Sequence, residues 1–126
     1  MALAGAELLF YPTAIGSEPA PAPPVDSRLH WQRTQQGHAA ANLMPLVAAN
    51  RFGLERSQRD PSLTLTFYGS SFIADAGGGM VAEAAIDAET VISARFDLDQ
   101  LNAARDNWFV FRDRRPDLYG PIARYS

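Results

Sequence analysis

GAELLFYPTAIGSEP runs from Gly5 to Pro19. Its apolar run Leu8-Leu9-Phe10-Tyr11 stops at Pro12. A short apolar run closed by proline reads as a buried strand leaving its sheet, because proline has no N–H to give to a ladder. The polar tail from Thr13 onward then falls at the C-terminal end of that strand, where open α/β sheets hold their ligands. The rest of the chain reads as scaffold for this loop.

Upstream, Met1–Ala6 reads as the closing turns of a helix stopped by Gly5, with no cap residue or acidic first turn to start it. Two explanations fit: a short helix beginning at the terminus, or a chain that starts in mid-domain. Downstream, Ser17–Asp26 carries Pro19, Pro21, Pro23 and Pro24, which makes it a stiff, extended loop. Asp26 or Ser27 supplies an N-cap for a helix over Ser27 to about Asn42, with Leu29, Trp31, Ala39, Ala40 and Leu43 as apolar contacts. Leu46–Ala49 is the second strand, closed by Asn50 and Arg51.

Gly53–Ser62 is charged and polar and reads as a surface excursion. Leu63–Ala74 reads as a third strand, with Gly69 as a bulge or a point of close approach. Asp75–Gly79 is a hairpin turn into a return strand over Met80–Ala85, and the alternation of Thr90–Phe96 predicts a further strand. Asp97 caps a helix over Leu98–Asp106, and Trp108–Tyr119 forms an aromatic, arginine-rich arm. A strand–helix–strand start followed by a strand-rich second part predicts one α/β (α+β) unit with a mixed sheet and helices on one face.

Composition narrows the function. The 126 residues are 47% apolar, which is ordinary for a globular chain, and the net charge of −3 speaks against nucleic-acid binding by bulk charge. No window approaches the roughly 20 apolar residues of a membrane span. No basic segment precedes the first apolar residues, so a cytoplasmic location is expected. There is no cysteine, and all eleven basic side chains are arginine. Thiol nucleophiles, cysteine zinc sites and lysine chemistry are therefore absent from these residues.

Each candidate group has a plainer alternative. Glu18, on the strand-end loop, can hold a cationic ligand group or stand as a solvated acid. His30 and His38, eight apart on one helix, lie roughly 80° apart around it, so a shared metal is disfavoured and structural hydrogen bonds are expected. Ser70 and Ser71 lack the strand-to-helix turn of a nucleophile elbow and read as core packing. Gly77–Gly79 joins two strands, so it reads as a hairpin and not a phosphate loop. Arg112-Asp113-Arg114-Arg115-Pro116-Asp117 interleaves carboxylates that would repel phosphate, and reads as ion pairs anchoring the arm.

GAELLFYPTAIGSEP, DSRLHWQRTQQGHAAANLMPLVAANRFG, TFYGSSFIAD, ARFDLDQL and WFVFRDRRPDLY, in unbroken order, resemble the nitrilase (carbon–nitrogen hydrolase) superfamily. Within it they resemble the C-terminal half of the branch that hydrolyses N-carbamoylputrescine. The resemblance implies half of an α-β-β-α sandwich. It implies that a cysteine thiolate attacks the ureido carbonyl of a small ureido-amine and expels ammonia. Water then cleaves the carbamoyl-enzyme to putrescine and carbon dioxide, with a glutamate as general base and a lysine at the oxyanion. No metal or organic cofactor is implied, and a homo-oligomer is.

Thr13, Ala14 and Ile15 would line the pocket, Glu18 would pair with the terminal ammonium of the substrate, and Asn50 and Arg51 would support them. With neither thiol nor lysine here, residues 1–126 are expected to be a partial domain lacking its catalytic groups, inactive alone. A non-catalytic assembly module built on the same scaffold is the alternative.

Overall fold

A computed structural model describes residues 1–17 and 25–124. Strand β1 (Leu9–Pro12), helix α1 (Arg28–Asn42) and strand β2 (Leu46–Ala49) form a crossover unit, with β1 and β2 parallel and Leu9 beside Leu46. A parallel pair needs such a crossover, and a helix is its usual form. Strands β5 (Phe72–Ala74) and β6 (Met80–Glu83) add antiparallel to β2, giving the order β1-β2-β5-β6. This is the mixed sheet that the sequence predicts. The Asp75–Gly79 turn joins β5 to β6, its Asp75 carboxylate accepting the N–H groups of Gly77 and Gly79.

Three stretches depart from expectation. Phe52–Arg56, within the supposed excursion, is strand β3, paired along its length with β4 (Thr64–Tyr68). Cross-strand pairing outweighs its polar composition, as strand propensity depends strongly on context. The single strand expected over Leu63–Ala74 is two strands in two sheets. Gly69 and Ser70, at φ 56° and 52°, both turn left-handed and break it. Thr90–Phe96 forms no strand, because alternation gives a strand only where a ladder partner exists and none is found among the described residues; Val91 is 95% exposed.

The core lies between α1 and one face of the four-stranded sheet. Leu9, Leu46, Ala48, Phe72 and Ala74 share that face and pack with Trp31, Ala39 and Met44. Trp31 meets Phe72 edge-on, with ring centroids 5.5 Å apart. The helix contacts are not those of a plain apolar stripe: Leu29 is exposed, while Gln32 and Gln35 are buried. Gln32 donates to Glu83 at 2.6 Å and Gln36 to the Gly78 carbonyl at 3.0 Å, so amide groups tie the helix to the β5–β6 hairpin. Ser27 is the residue before α1, but Asp26 supplies the capping bond, to the Arg28 N–H at 3.0 Å.

At the start of the chain, Ala2–Ala4 is a 3-10 turn closed by left-handed Gly5. Helix α2 spans Leu98–Trp108, two residues beyond expectation, and Asp97 caps it through the Gln100 N–H. Its Asn102 donates to Glu7 and its Arg105 to the Ala6 carbonyl, which latches α2 to the lead-in of β1. No helix among the described residues is long and apolar enough to cross a membrane.

Candidate functional site

The loop after β1 is held at nearly every residue. Thr13 continues the parallel ladder by one step, its N–H donating to the Ala49 carbonyl at 2.7 Å and its hydroxyl to the same oxygen at 2.9 Å. Asn50, the first residue past β2, grips Ile15 from both sides. Its Oδ1 accepts the Ile15 N–H at 2.9 Å and its Nδ2 donates to the Ile15 carbonyl at 3.1 Å. The same Nδ2 donates to the Gly69 carbonyl at 2.9 Å. One carboxamide thus joins three segments: the strand-end loop, the end of β2 and the β4–β5 junction.

The loop is also stitched to the second sheet. Gly16 bridges Phe67, the Tyr68 N–H donates to the Ile15 carbonyl at 3.2 Å, and the Ser17 N–H donates to the Thr66 carbonyl at 2.8 Å. The Ile15 side chain packs against the core cluster, while Ala14 stays exposed. Thr13, Ala14 and Ile15, named from sequence as a wall, therefore share one fixed segment at the C-terminal edge of β1. Glu18 lies outside the described residues.

Asn50, expected as a support, bonds to Ile15 and to Gly69. Arg51 contributes mainly through its backbone, whose carbonyl accepts the Gly69 N–H at 2.8 Å. Its guanidinium pairs with Glu55 and lies 4.8 Å from the centre of the Phe67 ring. Sequence reasoning missed Ser71. Its hydroxyl accepts the Asn50 N–H at 2.9 Å and donates to the Asn50 carbonyl at 3.2 Å. The only hint available was its place after Gly69-Ser70, which looked like strand interior.

Two hollows adjoin this junction. One of about 130 Å³ has Asn50, Gly69, Ser71, Glu89 and Thr90 on its lining. The other, about 520 Å³, lies over Phe52, Phe67 and Tyr68 with Asp26 and Asp87 at its border. A third hollow of about 640 Å³ lies away from the wall, between α2 and the arm, beside Arg105, Phe109 and Arg112.

The charged groups that depart from ordinary titration lie elsewhere. Hydrogen bonds from Arg112 hold the Asp113 carboxyl below its usual range, those from Arg115 do the same for Asp117, and the Ser62 hydroxyl does so for Asp60. The arm's ion pairs are local, between near neighbours, and are not long-range anchors. The arm meets α2 instead through Arg105 over Phe111. His38 takes the structural role expected, its Nδ1 lying 3.1 Å from the Tyr11 hydroxyl. Among the described residues no group of three metal-ligating side chains comes together.

A β–α–β crossover opens a mixed α/β sheet, and the Thr13–Ile15 loop lies at its strand ends. Residues 1–106 match the carbon-nitrogen hydrolase family, and the chain belongs to it. It is 58% identical over 121 residues to an N-carbamoylputrescine amidase of Arabidopsis thaliana, covering 94% of this chain and 40% of that protein. It is 52% identical over 124 residues to a citrullinase of Francisella tularensis, covering 98% of this chain and 42% of that one. The crystal structure of a carbon-nitrogen hydrolase from Helicobacter pylori superposes with a TM-score of 0.85 at 37% identity, over 98% of this chain and 43% of that chain. Saccharomyces cerevisiae Nit3, of the nitrilase superfamily, gives 0.66 at 25% identity, over 90% of this chain and 37% of that one. The chain thus spans about 40% of the length of the curated relatives it matches.

Proposed function

We propose that residues 1–126 form the C-terminal portion of an amidase that hydrolyses N-carbamoylputrescine to putrescine, ammonia and carbon dioxide. The observation that carries this is the 58% identity to an N-carbamoylputrescine amidase over 94% of the chain. In this proposal Thr13, Ala14 and Ile15 form a substrate-facing wall, fixed by Asn50. Glu18, one residue past the last loop bond at Ser17, holds the terminal ammonium of the substrate.

The reactive groups come from outside these residues, since neither cysteine nor lysine occurs in them. A thiolate adds to the ureido carbonyl, the tetrahedral intermediate expels ammonia, and water releases the amine and carbon dioxide from the carbamoyl-thioester. Small-molecule substrate aside, the protein acts as a cytoplasmic homo-oligomer. Exposed apolar side chains on the arm, Leu118 and Ile122, suit a subunit contact.

The test is hydrolysis assayed on the chain alone and on the chain joined to a segment bearing the thiol, lysine and glutamate. Turnover of N-carbamoylputrescine only in the joined protein is expected. Turnover by the 126 residues alone would refute the division of labour. No turnover in either would favour the second reading, a non-catalytic assembly module, which the missing thiol and lysine make worth testing. Preference for citrulline over the carbamoyl-diamine would reassign the substrate towards that of the citrullinase relative.

A further inference from the structure

We infer that Ser71 is a positioning residue of this reaction, acting through Asn50 on the wall at Thr13–Ile15. The inference rests on the amidase reading given above. It starts from an oddity in the backbone. Ser70 is fully buried yet left-handed, at φ 52°, directly after left-handed Gly69. A non-glycine residue in that region is strained, and such strain persists where surrounding contacts over-determine it. Here the contacts are visible: the Ser70 hydroxyl donates to the Tyr68 carbonyl at 3.2 Å, and the Ser70 N–H donates to the Ala85 carbonyl at 3.3 Å.

The kink has two products. It aims the Gly69 carbonyl at Asn50 Nδ2, and it brings the Ser71 hydroxyl onto the main chain of Asn50 from both sides, at 2.9 and 3.2 Å. A straight strand would carry neither group to Asn50. The Asn50 backbone is therefore fixed by Ser71 while its carboxamide is fixed by Gly69. A carboxamide so held presents its acceptor and its donor to Ile15 at once. In this role Ser71 acts through Asn50, as the outer support of a wall whose displacement by an ångström would matter to catalysis.

The experiment uses the chain joined to the segment that brings the thiol, lysine and glutamate, with N-carbamoylputrescine as substrate. Ser71→Ala should raise hydrogen exchange at the Ile15 amide at least about tenfold, and leave the amides of Phe72–Ala74 and α1 protected. The same variant should lower kcat/KM about tenfold, and Ser71→Thr, which keeps the hydroxyl, should restore both. If Ser71→Ala does not fold, Asn50→Leu, of similar size, removes the Oδ1 that accepts the Ile15 N–H together with the donors to Ile15 and Gly69, and carries the same two readouts. Unchanged Ile15 exchange overturns the clamp. Faster exchange with unchanged kcat/KM overturns its role in the reaction. A wild type that protects Ile15 but hydrolyses no carbamoyl-amine overturns the amidase reading, and with it the role of Ser71 in turnover, while the clamp itself stands on the exchange data.

Discussion

Gly69→Ala tests the junction on which both sheets and the wall depend. An added Cβ at Gly69 would sit 2.5 Å from the Ile86 carbonyl oxygen, 2.7 Å from its carbon and 2.8 Å from the Ile86 Cα. These are backbone atoms, so no side chain can swing away. The left-handed conformation alone costs a non-glycine residue about 1–2 kcal/mol. Forcing extra volume into a packed place adds about 1–3 kcal/mol. The expected loss is their sum, about 2–5 kcal/mol. Gly53 supplies the control: at φ 85° it has nothing within 4 Å of its Cβ position, so Gly53→Ala should cost only the conformational part.

Urea denaturation followed by Trp31 fluorescence measures both, with Trp108→Phe as background to remove the exposed indole. With a denaturant slope of about 1–3 kcal/mol per molar, a 3 kcal/mol loss moves the midpoint by about 1–3 M. The close approach at Ile86 is refuted if Gly69→Ala costs no more than Gly53→Ala.

Three further outcomes are expected. In the joined amidase, Glu18→Gln should raise KM for carbamoyl-diamines and leave KM for uncharged ureido substrates unchanged; equal effects on both would dismiss the ammonium contact. Phe72→Ala removes a fully buried ring and its edge contact with Trp31, and should cost about 3–5 kcal/mol in chemical denaturation with loss of the near-ultraviolet signal of Trp31. Asp113 and Asp117 titrate below their unfolded values because Arg112 and Arg115 donate to them. Their contribution is therefore present above the ordinary carboxylate range and lost as pH falls through the lowered values. Hydrogen-exchange protection factors across Arg112–Leu118, taken relative to the intrinsic rate at each pH, should fall on acidification, and added salt should produce part of the same effect at neutral pH.

The elements that place the wall were legible in sequence because each had a local cause. Pro12 ends β1, the small and polar spacing of Arg28–Asn42 marks a helix, Leu46–Ala49 is a short apolar run, and Asp97 caps α2 through its own side chain. What escaped was decided by partners distant in sequence. Phe52–Arg56 is a strand only because Thr64–Tyr68 lies beside it. Thr90–Phe96 has the right alternation and no such partner among the described residues. The break at Gly69-Ser70 follows from close approach to Ile86 and from bonds to Asn50, and a serine in the left-handed region leaves no trace in composition. Of the residues named from sequence, Thr13 and Ile15, expected as pocket lining, lie within hydrogen-bond distance of Asn50, expected as a support. Ser71 was misread because its role is to hold a backbone, which gives a hydroxyl residue no sequence pattern.

The same bonds limit what the wall can do chemically. The Asn50 carboxamide is committed to Ile15 and Gly69, and the Thr13 hydroxyl to the Ala49 carbonyl. Breaking such contacts to bind a substrate would leave part-buried polar groups unpaired, at about 1–3 kcal/mol for each. A substrate gains more by leaving them in place. On the proposed amidase reading, these residues would give the pocket its shape and not its affinity for charge. On the same reading, recognition of an ammonium would fall to an acid beyond Ser17, whose N–H and hydroxyl both meet Thr66. Glu18 is the next residue in the chain. On this argument the wall and the charge are separable: loosening the clamp at Asn50 should weaken turnover of every carbamoyl-amine alike, whereas loss of the Glu18 charge should discriminate among them.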